Sequence, residues 1–494
     1  MDGGWAELHP WRISRAPGAE PVFRQIYAEI RMAIAARDLG PRARLPSTRE
    51  LAAGLGVSRS SVVSAYEQLA AEGWIDSRTG SGAYVGSDLP APFGPQDAPA
   101  AAPARFGPDP EALFAPLVAS DDPAERPFAM GLALMDSRAQ DVWRRLTHRS
   151  VRRMDEVHFG YTDPRGLTSL RDGLAGYLRG ARGLKCEPGQ LLIVSGTQHA
   201  VDLASRLLLR PGDEVWVEDP GYPMTCKALE ASGLRLVPVP VDAQGLVVAE
   251  GIGRAPHARA AVVTPSHQYP TGAVLSMARR AELLAWARRA GAWIIEDDYD
   301  SELRFRGRPL AALQGLDEGG RVIYVGTLNK SLFPGLRIGY LVAPPGLVEG
   351  FLNARHLGDR QPPTLTQTVV ADFVAEGHLA AHFRRLRQLY RRAQEVVTQA
   401  LEPVVEEIGG RLPAPDQGNH LVAWLPDGFD DVALERAARA EGVTCRALSR
   451  LYLQAPPRPG LMLGFTGFRP EQLHAPAARL ASLIAASPSQ RRSC

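Results

Sequence analysis

Apolar residues along this chain follow two rhythms, helical near the start and strand-like later. From Val22 to Arg37 the apolar positions are Val22, Ile26, Ile30, Ala33 and Ile34, the spacing of a helix with one face to bury. Ser47 with Glu50 three residues on is a capping box, so a second helix is predicted from there to Gly54-Leu-Gly56. Ser58 is a natural N-cap for a third, which runs from Arg59 through Glu72 and stops at Gly73. Two short helices across a Gly-containing turn describe a helix-turn-helix. Trp74 to Val85 then reads as a two-stranded ribbon turning at Thr79-Gly80, so residues 1–86 are predicted to hold a winged helix.

Residues 87–127 contain ten prolines with Ala-rich spacers, a composition that suits an extended, semi-stiff linker. From residue 128 to 494 short apolar runs alternate with helical patterns. They include Leu191–Val194, Glu214–Val217, Ala260–Val263, Trp293–Ile295, Val322–Val325 and Ile338–Val342. Continuous apolar runs of this length suit strands buried on both faces of a mostly parallel sheet, with helices covering it. From about residue 350 a long Arg-rich helix (His378 to about Ala400) precedes short strands near Asn419–Trp424 and Leu461–Phe465, which predicts a smaller α+β subdomain. The fold class is α/β.

Composition narrows the classes. Hydrophobic content of 45% with 22% charge is that of an ordinary globular protein. No apolar run reaches the roughly 18 residues of a membrane-spanning helix, and the first residues carry no leader pattern, so no membrane partner and a cytoplasmic location are expected. Cys186, Cys226, Cys445 and Cys494 lie far apart without CxxC spacing; free thiols and no metal site are expected. A formal net charge of +2 leaves any nucleic-acid contact to a local patch.

Such a patch surrounds the helix-turn-helix. Residues 20–86 hold eight Arg against seven acids, so the total is uninformative, but Arg42, Arg44, Arg49 and Arg59 cluster at the turn. The start of the third helix would present Arg59, Ser60 and Ser61, behind Ser58, to a major groove. Arg44 and Arg49 would hold phosphates, Ser47 and Thr48 beside them are also candidate DNA contacts, and Arg78 and Thr79 at the wing tip would reach the backbone or minor groove. The bland alternative is a solvated face on a small helical domain.

The other chemistry centres on a scarce residue type. Of 56 basic residues only Lys185, Lys227 and Lys330 are lysine. Lys330 sits in Gly326-Thr-Leu-Asn-Lys-Ser-Leu-Phe-Pro-Gly-Leu-Arg-Ile-Gly339, about thirty residues after the acidic strand end Ile294-Ile-Glu-Asp-Asp-Tyr-Asp300. A pyridoxal 5'-phosphate (PLP) site needs a lysine for a Schiff base and an acid for the pyridinium nitrogen, here Asp297. Tyr299 would donate to the ring's phenolic oxygen. Gly196, Thr197 and Gln198, between an apolar strand and a helix start, would offer N–H groups and side chains to the phosphate. Thr327 and Arg337 would complete that cradle, an Arg fork matching phosphate geometry, and Tyr222 would stack on the ring. Singly, each residue is more often a cap, a surface acid or a core aromatic; together and in this order they point to the cofactor.

The strings Leu45-Pro-Ser-Thr-Arg-Glu-Leu51 and Val57-Ser-Arg-Ser-Ser-Val-Val-Ser-Ala-Tyr-Glu-Gln-Leu69 closely resemble the GntR family of bacterial regulators. Residues 128–480 resemble the fold-type I aminotransferases. Tyr161, in Tyr161-Thr-Asp-Pro-Arg-Gly166, matches the position from which that family's partner subunit reaches the cofactor phosphate, which implies a homodimer. Winged helix, linker and aminotransferase-like domain together resemble the MocR-type regulators over nearly the whole chain. The resemblance implies PLP held as an aldimine at Lys330, a small-molecule amine effector, promoter DNA as partner, a head-to-tail dimer, and reporting of binding rather than turnover. A working aminotransferase with an accessory DNA-binding domain is the alternative.

Two positions depart from the aminotransferase pattern. Met462 stands where that family places the arginine that clamps the substrate carboxylate, and Tyr269 stands where an asparagine precedes Pro-Thr-Gly. A thioether cannot replace a bidentate guanidinium. The effector expected is therefore PLP itself, an ω-amine such as γ-aminobutyrate or a sulfonate amine such as taurine, with His267, Arg360 or His420 contributing to its recognition.

Overall fold

A computed structural model describes residues 11, 13–16, 18–78, 82–87, 126–307 and 310–487. They divide into two compact units, one on each side of the 88–125 segment. The linker expected there lies outside the described residues, apart from its ends. So do Thr79 and the wing turn, and the side chain of Arg78.

In the first unit α1 (Val22–Ala35), α2 (Thr48–Leu55) and α3 (Arg59–Ala71) precede β1 (Ile75–Arg78) and β2 (Gly82–Val85), which pair antiparallel. The residues at helical spacing on α1, Ile26, Ile30, Ala33 and Ile34, are the buried ones. They share a core with Leu51, Val62, Leu69, Ile75 and Val85. The capping box closes both ways: Glu50 N–H donates to Ser47 Oγ at 3.2 Å, and Ser47 N–H to Glu50 Oε2 at 2.8 Å. Gly56 ends α2 at φ 63°, a left-handed conformation that glycine adopts without a Cβ penalty. Ser58 Oγ accepts from Ser61 N–H at 3.2 Å and starts α3. Residues 43–45 run beside β2, through Leu45 N–H to Ala83 O and Val85 N–H to Ala43 O, each 2.9 Å.

The second unit is a sheet of eight strands: β3 (Leu191–Val194), β4 (Glu214–Asp219), β5 (Arg235–Asp242), β6 (Gly245–Leu246), β7 (Ala260–Val263), β8 (Trp293–Asp298), β9 (Val322–Thr327) and β10 (Gly339–Val342). Their order is β3-β10-β9-β8-β7-β4-β5-β6. Strands β5, β4, β7, β8 and β9 are parallel; β10 runs antiparallel between β9 and β3. Helices cover both faces because both are apolar. Leu191 and Ile193 pack with Leu174 and Leu178 of α4 (Thr168–Arg182), whereas Leu192 and Val194 pack with Val201 and Ala204 of α5 (Thr197–Leu208). On the former side α6 (Met277–Ala290) stacks Trp286 on Trp216 of β4, ring centroids 3.7 Å apart.

A smaller sheet, β11 (His420–Trp424), β13 (Gly460–Gly464) and β12 (Arg446–Ala447), is antiparallel in the order β11-β13-β12. The 30-residue α7 (His378–Glu407) and α8 (Pro470–Ala486) pack with it around Val397, Leu421, Leu463 and Leu480. The loop before β13 is tied to the large sheet: Asp219, at the end of β4, accepts N–H bonds from Leu453, Gln454 and Ala455 at 2.6–2.8 Å. No helix among the described residues is long and apolar enough to cross a membrane.

Candidate cofactor pocket and nucleic-acid interface

The carboxyl ends of the strands converge on a cavity of about 410 Å³, walled also by the small sheet. This is where open α/β sheets bind ligands. Gly196, Thr197, Gln198, Tyr222, Asp297, Tyr299, Thr327, Lys330 and Arg337 all line it.

Period-two alternation in β8 sorts its three acids. Glu296 and Asp298 share one face. Glu296 accepts N–H bonds from Leu313 (2.7 Å) and Gln314 (2.8 Å), and Asp298 accepts from Arg182 (2.8 Å) and the Tyr324 hydroxyl (2.5 Å). Asp297 points the other way, into the cavity, where the Thr197 hydroxyl donates to it at 3.1 Å. Burial pushes the Asp297 carboxyl up to about 7, only partly opposed by Thr197. A buried acid with no salt-bridge partner within 4 Å among the described residues fits a pyridinium ring nitrogen.

Lys330 leans on the carbonyl of Gly131 at 3.4 Å. A Cβ at Gly131 would come within 2.5 Å of its Nζ, so glycine there leaves the amine its room. Burial lowers the ammonium's titration; Asp297 and Asp300 oppose the shift, and Arg337 adds to it. A neutral amine, the form that attacks a carbonyl, is thereby favoured. The phosphate end also fits. Gly196, at φ 143°, precedes α5 without a side-chain cap, so the first N–H groups of that helix remain for an anion, with the Arg337 guanidinium on the same cavity. Gln198 is tied back, its amide donating to Met224 O at 2.9 Å.

The alternating pattern gave no sign of Asn329. Its side chain donates to Ser195 O (3.0 Å) and accepts from Ile338 N–H (2.9 Å), while its own N–H donates to Thr327 Oγ1 (3.1 Å). It thus pins the turn before Lys330 to the ends of β3 and β10. Residues 129–132, Asn419, Thr444 and Arg446 also line the cavity and were likewise not foreseen. Position beside Lys330 was the only sequence signal for Asn329; the others are brought in by tertiary packing.

Tyr161, expected to serve a partner subunit, does not line the cavity of its own chain; it is 76% exposed, with the Arg360 guanidinium 3.7 Å over its ring. Arg360 is therefore also off the cavity wall. His267 is buried behind it, its Nδ1 2.9 Å from Asp300 and 3.1 Å from the Tyr299 hydroxyl. His420 is buried, pushed down to about 3 by burial, and donates Nε2–H to Pro270 O at 2.8 Å. Neither histidine lines the cavity. Met462 is fully buried among Tyr269, Val422 and Trp424. Tyr269 does reach the cavity, edge-on to Tyr222 with centroids 5.1 Å apart.

In the first unit Arg44, Arg49, Arg59 and Ser60 are exposed, and none of these arginines has a carboxylate within 4 Å among the described residues. Arg59 Nε donates to Thr48 Oγ1 at 3.3 Å, which holds its guanidinium at the mouth of the turn. Ser47 and Ser58 are occupied as caps, and Ser61 Oγ lies 2.8 Å from Ser58 Oγ. Their first job is to build the helices that present the arginines.

Comparison with known proteins agrees with both halves. Residues 23–85 match the model of the bacterial regulatory proteins, gntR family, and residues 134–460 that of aminotransferase class I and II. The probable rhizopine catabolism regulatory protein MocR of Rhizobium meliloti is 38% identical over 460 residues, 92% of each chain. The pyridoxine biosynthesis transcriptional regulator PdxR of Corynebacterium glutamicum is 34% identical over 443 residues, covering 89% of this chain and 91% of its own. Among solved structures, the α-aminoadipate aminotransferase LysN of Thermus thermophilus, complexed with N-(5'-phosphopyridoxyl)-L-leucine, superposes with a TM-score of 0.67 at 27% identity. It covers 73% of this chain and 90% or more (92%) of its own. The chain belongs to the GntR family of bacterial transcriptional regulators, in the MocR-type group that joins a winged helix to an aminotransferase-like domain.

Proposed function

We propose that this protein is a PLP-dependent transcriptional regulator in which Lys330 holds the cofactor and yields it to an amine effector. The observation that carries the reading is the convergence of Lys330, Asp297, Tyr299 and Arg337 on one cavity, with Lys330 and Asp297 both buried in it. PLP, when bound, supplies an aldehyde that a primary amine can take up covalently, attached to an electron-poor ring. Asp297 would hold the proton on the ring nitrogen. Tyr299, backed by His267 and Asp300, would donate to the phenolic oxygen, and Tyr222 would cover the ring. Thr197, the first N–H groups of α5, Thr327 and Arg337 would hold the phosphate.

Tyr161 would serve the cavity of a second subunit in a head-to-tail homodimer, which accounts for its exposure in the single chain. Arg44, Arg49, Arg59 and Ser60, with Arg78 and Thr79 from the wing, would grip promoter DNA in the cytoplasm. Net transamination is expected to be absent: at the position of the aminotransferase carboxylate clamp, Met462 is sealed in a hydrophobic cluster and supplies no guanidinium.

The test is coupling between the two units. Promoter fragments selected by the purified protein are titrated with and without an amine effector, for wild type and Lys330→Ala. The amine should change wild-type affinity about fivefold or more. Lys330→Ala should keep basal binding and lose the response; an equal response in both proteins would overturn the reading.

A further inference from the structure

The cavity holds a charged group that the cofactor reading does not use. Arg446 lies in β12 of the small sheet, whereas Lys330, Asp297 and Arg337 come from the ends of the large one. Its side chain lines the cavity and is half-buried. Its one hydrogen bond among the described residues is from Nη1 to the Tyr269 hydroxyl, at 3.3 Å. A guanidinium carries five donors in a fixed fork and cannot shed its charge. Beside it on the cavity wall stand two aromatic rings, Tyr269 and Tyr222.

The acids near β12 are committed elsewhere. Glu435 accepts from Ala447 N–H at 3.1 Å and faces Arg439 and Arg450; Asp431 accepts from Ser449 and Gly460. Asp219 is taken up by the 453–455 backbone. The other lysine on the wall, Lys227, is paired with Glu230 at 2.8 Å. No carboxylate comes within 4 Å of Arg446 among the described residues, so its fork is left for an anion from outside. The register adds direction. Arg446 and Met462 are directly opposed residues of β12 and β13 and project from the same face. The guanidinium therefore stands one strand over from a position that is itself sealed by Tyr269, Val422 and Trp424.

We infer that Arg446 is the anion anchor of the effector, and that the effector is a primary amine carrying an oxyanion, a carboxylate or a sulfonate, on the same short chain. Its amine meets the cofactor held at Lys330 and its oxyanion meets the Arg446 fork; Tyr269 positions that fork through its hydroxyl. This rests on the cofactor reading above. An amine without an anion satisfies one end of the cavity and leaves the guanidinium unpaired.

The experiment uses the full-length protein loaded with PLP. Short ω-amino acids, aminosulfonates and alkylamines of matched length are titrated against the visible band. A short dicarboxylate, which has no amine, is titrated by calorimetry. Wild-type protein should prefer the anionic amines over alkylamines by about tenfold to a hundredfold, the worth of a charge-assisted hydrogen-bonded pair. Whichever of the two anionic series binds tighter identifies the oxyanion. Arg446→Gln should keep the visible band, erase the preference and abolish dicarboxylate binding, and Arg446→Lys should restore part of both. A preference that survives Arg446→Gln, or a wild-type protein indifferent to the anion, overturns the assignment while the band stays intact. Absence of the band in wild-type protein removes the cofactor reading itself, and this one with it.

Discussion

Arg44, Arg49 and Arg59 are set in place by caps only a few residues away, Ser47, Glu50 and Ser58. Thr197 and Asp297, joined by one hydrogen bond, are separated by 100 residues and meet only because β8 ends and α5 begins at the same edge of a sheet. The first site is exposed and Arg44, Arg49 and Arg59 lack carboxylates within 4 Å among the described residues; the second is buried, and Arg182, Glu296 and Asp298 beside it are tied into hydrogen bonds. Exposed unpaired cations keep their hydration and gain mainly when a polyanion arrives. Buried groups must be satisfied internally or wait for one specific ligand. Asp297, Arg337 and Arg446 line the cavity with no salt-bridge partner within 4 Å among the described residues, the acid left for a cation and the two guanidinia for anions.

The largest effect is expected at Asp297. Asp297→Asn should weaken cofactor binding by about 2–5 kcal/mol, because the ring nitrogen loses a buried charge partner. The same change should stabilise the cofactor-free protein. A free aspartate titrates near about 3.9, whereas folding raises this one to about 7. Between those values the unfolded chain has released a proton that the folded chain keeps, so stability falls as pH rises through the window. The variant escapes that loss. Its melting temperature should exceed that of cofactor-free wild type at about pH 8 and match it at about pH 4. Glu218 and Glu296 titrate in the same window in both proteins, so the difference between the two reports on Asp297. Equal melting at both pH values, or unchanged cofactor affinity, would place the ring nitrogen elsewhere.

A smaller effect is expected in the first unit. Arg59→Ala should cost about 1–3 kcal/mol in promoter affinity and relax specificity if the guanidinium reads a base edge. Its melting temperature should hardly move, because among the described residues Arg59 makes a single hydrogen bond, to Thr48. Unchanged affinity would take Arg59 out of the interface. A large fall in melting temperature would mean that it builds the fold, and the contrast between the two regions would blur.

The same contrast explains what was legible beforehand. The helices of the first unit were readable almost to the residue, because capping boxes and apolar spacing are local signals. Six strands of the large sheet were readable because continuous apolar runs buried on both faces leave a plain trace. Strand β5 was not among them. Pro238 and Pro240 remove two donors from one edge, which the sheet tolerates because β4 pairs along the other edge and β6 covers only Val241 and Asp242. The strand-end residues Asp297 and Lys330 could be singled out by chemistry. Asn329 and Arg446 could not, since their roles depend on a turn geometry and on a second sheet folding over the first. His267 and His420 looked like ligand-binding residues by type and are spent on Asp300 and Pro270.

The most direct test of the account is borohydride reduction of the PLP-loaded protein followed by peptide mass mapping. The account predicts a pyridoxyl adduct on the peptide containing Lys330 and none on those containing Lys185 or Lys227. Label at either of those two, or none at all, would contradict it.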